Sequence, residues 1–267
     1  MKPLYEIKQG DLLSTSMKFD KQVARRLSAY LKTLRQELAA IVLRSGGFER
    51  QNIMVIRRNA GFMFQRLQSD LTELMRVNVL QAWDMGRKMV DDPLQLHGIH
   101  LGAMPQDNAS ALELVQWYVA DLIGSFVAQA DKRVNGILMR GIIAGKGSKM
   151  IMREIDKAFA GKKRGLEFEL RRIVKTELSA ATNLAMQGRL ALAGKSAPSL
   201  KKYWVCSGHR NGRHERIEFA TNPRRGGIPL AFDGKFLLGN LKALGPHDPG
   251  LHIGHKINCG CRLGFMV

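Results

Sequence analysis

The sequence predicts an α+β protein: a mainly α-helical N-terminal region followed by a small α+β C-terminal domain with short antiparallel hairpins. Three observations carry this. Apolar residues recur every three or four positions from about residue 20 to about residue 192, which is the period of one helical face. After Gly194 that period gives way to short strand-like runs separated by polar turns. All three cysteines and five of the seven histidines lie in the last 62 residues, so the end of the chain is chemically distinct.

The elements follow in order. Residues 1 to 19 show little periodicity and are expected to form an extended arm. Asp20 is placed to cap a helix whose stripe is Val23, Leu27, Leu31, Leu34, Leu38 and Ile41, stopping at Gly46-Gly47. A second stripe runs through Ile56, Ala60, Met63, Leu67, Leu71 and Leu74 and is expected to end at Val90, before Asp91-Asp92-Pro93. A short loop between the two makes them an antiparallel pair. Residues 92 to 107 read as a loop in which His97 and His100 have no metal-ligand companions. Ser110 with Glu113 fits a capping box for a third helix, with Val115, Val119, Leu122, Phe126, Ala130, Val134 and Ile137 on one face.

The stretch GIIAGKGSKM lacks the spacing of a phosphate-binding loop, and a glycine stop followed by a Ser148 cap explains it better. A further helix spans about Gly165 to Leu192, with Leu166, Leu170, Ile173, Glu177, Ala180, Leu184 and Gly188 on one face. A carboxylate on an apolar stripe needs a partner, because burying it alone is costly. Beyond Gly194, KKYWV is read as a strand with RIEF (216 to 219) as its hairpin partner. IPLAF-DG-KFLL is read as a second hairpin turning at Asp-Gly, and CRLGFMV as a last strand. The expected division is an arm at 1–19, a helical domain at 20–145 and an α+β domain at 146–267.

Charge is the most informative bulk property. The 267 residues carry 42 Lys and Arg against 23 Asp and Glu, a net +19. Residues 160 to 267 contribute 19 of those cations and 7 of the acids. An excess of this size favours a polyanionic partner, with nucleic acid first. Lys162, Lys163 and Arg164, and the pair Arg224 and Arg225, are candidate phosphate contacts, or else solvated surface runs. No apolar run approaches a bilayer span, no lipidation motif is present, and the N-terminus lacks a signal-peptide pattern. No membrane partner is expected.

The C-terminal Cys-x-Cys admits three readings: a metal site, a redox pair, or two packed residues. Cys206-x-x-His209 is one candidate zinc knuckle, and Cys259 and Cys261, with His255 as an alternate, supply the other pair. His214 is a further alternate. The redox reading is the weakest, because the Cys-x-x-Cys spacing at a helix start is absent. A metal nuclease built on His209, His214, His255 and Asn258 is also conceivable. However, the only acids after residue 200 are Glu215, Glu218, Asp233 and Asp248. No catalytic residue is assigned.

Several stretches together resemble the phage Mu F-like minor head, or head morphogenesis, proteins of tailed bacteriophages. ILMRGIIAGKGSKMIMREIDKAF resembles their glycine-serine turn between helices. IVKTELSAATNLA resembles their R-T-E-x-x-x-x-x-N helix, with Lys175 in the arginine position and Thr176, Glu177 and Asn183 in place. KKYWVCSGHRNGRH resembles a strand ending in Trp204 and a polar turn leading to His214. GPHDP and HKINCGC resemble the family's proline-rich segment and terminal N-C-R-C, with Gly260 in the arginine position. The resemblance covers about residues 135 to 265. It implies a structural virion protein in the head interior near the portal vertex, reached from the host cytoplasm during assembly. The implied partners are the portal protein, capsid or scaffold proteins, and double-stranded DNA without sequence preference.

Overall fold

The computed structural model describes residues 4–44, 50–102, 106–160, 165–206, 214–257 and 259–267. It is an α+β fold, helical first, with small antiparallel sheets near the end of the chain. Five helices come first: α1 (Leu4–Arg44), α2 (Arg50–Gln95), α3 (Gln106–Ile143), α4 (Ser148–Ala160) and α5 (Leu166–Ser196). Then follow β1 (Lys201–Val205), α6 (Glu215–Thr221), a 3-10 turn (Pro223–Arg225), β2 (Leu230–Ala231), β3 (Phe236–Leu238), β4 (Leu241–Ala243), α7 (Ile253–Lys256) and β5 (Arg262–Met266).

The chain forms two compact units that do not follow the linear division expected at residue 145. One comprises Met1–Gln22, Val77–Gln116 and Val174–Val267; the other comprises Val23–Arg76 and Trp117–Ile173. Four long helices each contribute residues to both units, so no cut between consecutive elements separates them.

The expected arm is helical. Within residues 4–22, Gln9, Leu13, Ser16 and Asp20 are buried at steps of four, three and four, a helical face continuous with the Val23 stripe. Three of those four residues are polar, which hides the period from a hydrophobicity reading. They are buried because they meet polar groups: Tyr203 Oη donates to Gln9 Oε1 at 3.0 Å, and Arg262 reaches Ser16 and Asp20. Asp20 is therefore an interior ion-pair partner and not a helix cap.

The second helix runs to Gln95, past its expected stop at Val90. Pro93 stands in its last turns, where the missing N–H removes one ladder bond. Compensation comes from Leu94, fully buried, and from the buried Arg189, whose Nε lies 2.6 Å from Asp91 Oδ1. The end is closed at Gly98, with φ +78: Gly98 N donates to Gln95 O and Ile99 N to Leu94 O. That is the bond pair of a glycine-terminated helix end. The third helix starts at Gln106, ahead of the expected Ser110 cap. By length and composition α3 is apolar enough to cross a membrane, with 22% of its most apolar window buried. Asp121 and Asp131 interrupt any uninterrupted apolar run. The glycine stop after α3 is as expected, with Gly145 at φ +65 and α4 beginning at Ser148.

The core of the first unit is built from Leu13, Met89, Leu94, Met186, Leu190, Trp204, Phe236, Leu263 and Phe265, among others. Its sheet has the order β2-β1-β5, all antiparallel. The strands expected at 201–205 and at the chain end pair with each other, Lys201 opposite Met266 through Val205 opposite Arg262. RIEF is not a strand: it lies in α6. Because β2 reaches only Lys202, the N–H groups of Trp204 and Cys206 need other acceptors. Thr221 Oγ1 (3.1 Å) and Glu218 Oε1 (3.1 Å) of α6 supply them. The hairpin expected at Asp233-Gly234 does not form either. There β2 pairs with β1, while β3 pairs with β4 across Gly239-Asn240, a two-residue turn.

Candidate metal centre

Strand register creates the centre. Each β1–β5 pair sums to the same residue total, so one step beyond Val205–Arg262 sets Cys206 opposite Cys261. Directly opposed side chains are near neighbours, and the two sulfurs stand 3.7 Å apart. Cys259 lies one side-chain step before Cys261. His214 arrives from the N-terminal end of α6, where it makes no side-chain cap bond and its ring is free for another role. Its Nδ1 is 3.5 Å from Cys259 Sγ and 3.6 Å from Cys261 Sγ.

His214, Cys259 and Cys261 are all buried, and their donor atoms lie within 4.8 Å of one another, a set able to hold a metal ion. The fit can be tested on edge lengths. Tetrahedral zinc with Zn–S near 2.3 Å and Zn–N near 2.1 Å requires S···S edges of about 3.8 Å and S···N edges of about 3.6 Å. The His214–Cys259, His214–Cys261 and Cys206–Cys261 separations of 3.5, 3.6 and 3.7 Å are of this size, and the half-buried Cys206 stands beside Cys261 but outside the three-residue cluster. All three cysteines are free thiols, so no disulfide competes for the sulfurs.

Thiol protonation is uneven within this group. Cys261 is held well below the usual thiol range by its hydrogen bonds with Cys206 and then Cys259, with His214 and Trp204 adding to this against burial. Cys206 is pushed up, first by its hydrogen bond with Cys261 and then by burial. The Trp204 indole N–H has no partner of good geometry, yet it lies close enough to Cys261 to favour the thiolate. Trp204 is fully buried and packs edge-on to the His214 ring at 5.1 Å. Lys175 in α5 is half-buried; burial lowers its pKa, and the thiols of Cys259 and Cys261 and the carboxylate of Asp20 oppose that shift.

A surrounding shell fixes the donors. His214 Nε2 stands 3.3 Å from His255 Nδ1, with the rings stacked at 5.5 Å. His255 thus backs His214 and does not join the donor cluster. Such a partner on the second ring nitrogen orients a metal-binding histidine. Asn183 of α5 donates to Cys261 O at 2.9 Å and accepts from Leu263 N at 3.2 Å, clamping both sides of Arg262. Arg262 has no exposure; it pairs with Asp20 at 2.7 Å and donates to Ser179 Oγ at 2.8 Å. His247, fully buried at φ +62, donates from Nε2 to Cys259 O at 3.0 Å. Burial first, then the Arg262 charge, hold it at about 3, so it is neutral.

Of the expected donors, Cys259 and Cys261 meet in one cluster with the alternate His214, and Cys206 touches that cluster at Cys261. His209 lies outside the described residues, as does Asn258. Thr176 and Glu177 are buried in α5 but not in the donor group. Burial raises the Glu177 carboxyl to about 7, with Lys256 opposing. Lys162, Lys163 and Arg164 also lie outside the described residues. Arg224 bonds Glu6 O and stands 3.9 Å from the Glu6 carboxylate; Arg225 stands 3.9 Å from Glu218 and over the Phe219 ring. The sequence reading missed Arg262 and Ser179 and took Asp20 for a helix cap. An arginine between a cysteine and an apolar strand was the available signal, since a guanidinium there needs an interior partner. Comparison with family models, with curated proteins and with solved structures finds no match.

Proposed function

We propose that this chain is a structural minor head protein of a tailed bacteriophage, acting in head morphogenesis, DNA packaging or ejection. In this reading it sits in the head interior at the portal vertex, contacts the portal protein and capsid or scaffold proteins, lies close to packaged double-stranded DNA, and performs no catalysis. Zn²⁺ would be held by Cys206, Cys259, Cys261 and His214, and would supply a covalent-strength tie between the start and the end of the small sheet. Four protein donors close the coordination sphere, which suits a structural role.

One observation carries the proposal. The motif residues of the phage-head resemblance are spread over nearly eighty positions, yet Asn183, Trp204, His214, Cys259 and Cys261 meet in one cluster. Residues that converge on one site from four separate segments support the view that the resemblance reflects a shared functional core. The net charge of +19 supports a place beside DNA.

The test is biochemical. A tagged chain expressed with its neighbouring genes should co-purify with a portal protein, and the native chain should be found at low copy number in purified virions. Absence from both would contradict the assignment. A zinc-stapled nucleic-acid-binding protein outside any virion is the second reading, favoured by the same charge. It predicts DNA binding without portal co-purification. Divalent-metal-dependent DNA cleavage abolished by His214→Ala would instead revive the nuclease reading.

A further inference from the structure

The second compact unit contains a groove that none of the readings above uses. Its volume is about 360 Å³, and its walls include Arg25, Ser28, Lys32 and Arg35 of α1, Phe159 of α4 and Arg171 of α5. The α1 residues stand at steps of three, four and three, so they share one helical face. From Arg25 to Arg35 the row extends roughly 15 Å at 1.5 Å per residue. Leu31 and Phe159 give the groove an apolar, buried floor.

Two of the four cations are held in place by the protein. Arg35 Nε lies 2.6 Å from Asp156 Oδ1. Arg171 donates from Nε to Ser28 Oγ at 3.1 Å and from Nη2 to Glu167 at 2.5 Å. A guanidinium gripped through one edge has less rotamer freedom to lose when its remaining N–H groups bind an anion. The other two, Arg25 and Lys32, are exposed, and among the described residues neither has an ion-pair partner. Asp156 and Glu167 thus offset two charges and leave an excess of two in the groove.

We infer that this groove is a phosphate-binding site for a nucleic-acid backbone, distinct from the Cys/His centre and from the Arg224–Arg225 pair. A row of roughly 15 Å laid along a duplex spans about four base-pair steps of its axis at ~3.4 Å each, enough for its cations to meet successive phosphates of a strand that crosses it. Arginine forks match phosphate in two-point geometry. This inference rests on the reading that the chain contacts DNA, and the experiment separates failure of the groove from failure of that reading.

The experiment measures binding of the full chain to a mixed-sequence 30-base-pair duplex by fluorescence anisotropy, from 50 to 300 mM salt. Arg25→Gln/Lys32→Gln is compared with wild type and with Lys235→Gln/Lys242→Gln, which removes the same charge at exposed positions of the other unit. Circular dichroism melting verifies that both variants are folded. The groove variant is expected to lower the slope of log affinity against log salt by ~1.8, and affinity at 50 mM salt by at least about tenfold. The control is expected to change either quantity by much less. Equal losses in the two variants would overturn the groove assignment, since total charge alone would then account for them. An unchanged groove variant would overturn it while leaving DNA contact intact. No binding by wild type would overturn both. Displacement of the duplex by polyglutamate at equal charge concentration would overturn the phosphate assignment in favour of a carboxylate ligand.

Discussion

Arg262 lies between Cys261 and the apolar residues of the last strand with no solvent exposure, and Asp20 is the only carboxylate paired with it among the described residues. Removing one member of a buried pair leaves the other charge without compensation, at a cost of about 3–5 kcal/mol. Arg262→Met should lower unfolding stability by that amount in urea titrations. The double variant with Asp20→Leu should recover part of it. Equal losses in the single and double variants would show that packing, not charge, is at stake. Glu177 is a second buried ionisable residue. Its folded carboxyl ionises near 7, against 4.5 for the ordinary group. A raised carboxyl pKa means the folded state binds the proton more tightly, so this stability is complete below about pH 4.5 and is lost as pH rises through 7. Glu177→Gln should therefore gain on wild type between pH 5 and pH 8, by up to ~3 kcal/mol. Parallel pH profiles for the two proteins would contradict the burial argument. At this scale the sequence was legible where chemistry is declared by residue type, as with the cysteines. The need of Glu177 for special treatment was also visible, because a carboxylate on an apolar stripe is an anomaly. Asp20 was misread because its partner is 242 positions away.

Elements were legible where their buried faces are apolar and obscured where they are polar. The stripe through Leu27, Leu31, Leu34 and Leu38 is the buried one, as expected. The first turns of α1 escaped notice because Gln9, Ser16 and Asp20 occupy the inward positions. RIEF has the composition of a strand, but the N–H groups of Trp204 in β1 and of Cys206 just after it require acceptors on that side, and Thr221 and Glu218 reach them from a helix. The true hairpin turn, Gly239-Asn240, was visible in principle as a two-residue turn sequence. Close helix approach offers a test of packing between α2 and α5. A Cβ at Gly86 would stand 2.3 Å from Thr182 O and 2.9 Å from Ala185 Cβ. Backbone cannot yield as a flexible side chain can, so Gly86→Ala should force the helices apart and cost about 1–3 kcal/mol or more. A variant as stable as wild type in thermal melting would mean that the two helices are not in contact at Gly86.

For the whole molecule, helical-then-mixed order and basic charge followed directly from the sequence, whereas the two compact units did not. Helices of 31 to 46 residues carry the chain through both units, and no composition shift marks such a crossing. The small sheet of the first unit has strands of two to five residues, too short to be stable without further ties. Its ends are joined by the Cys/His cluster, so the metal reading is also a stability claim. Chelation should lower the melting temperature of the wild type and leave Cys259→Ser/Cys261→Ser unaffected. The most direct test is elemental analysis of protein purified without chelator. About one Zn²⁺ per chain is expected for wild type, falling close to zero in the double cysteine variant, as required if Cys259 and Cys261 are both ligands. Folded wild-type protein with no stoichiometric metal would contradict the account.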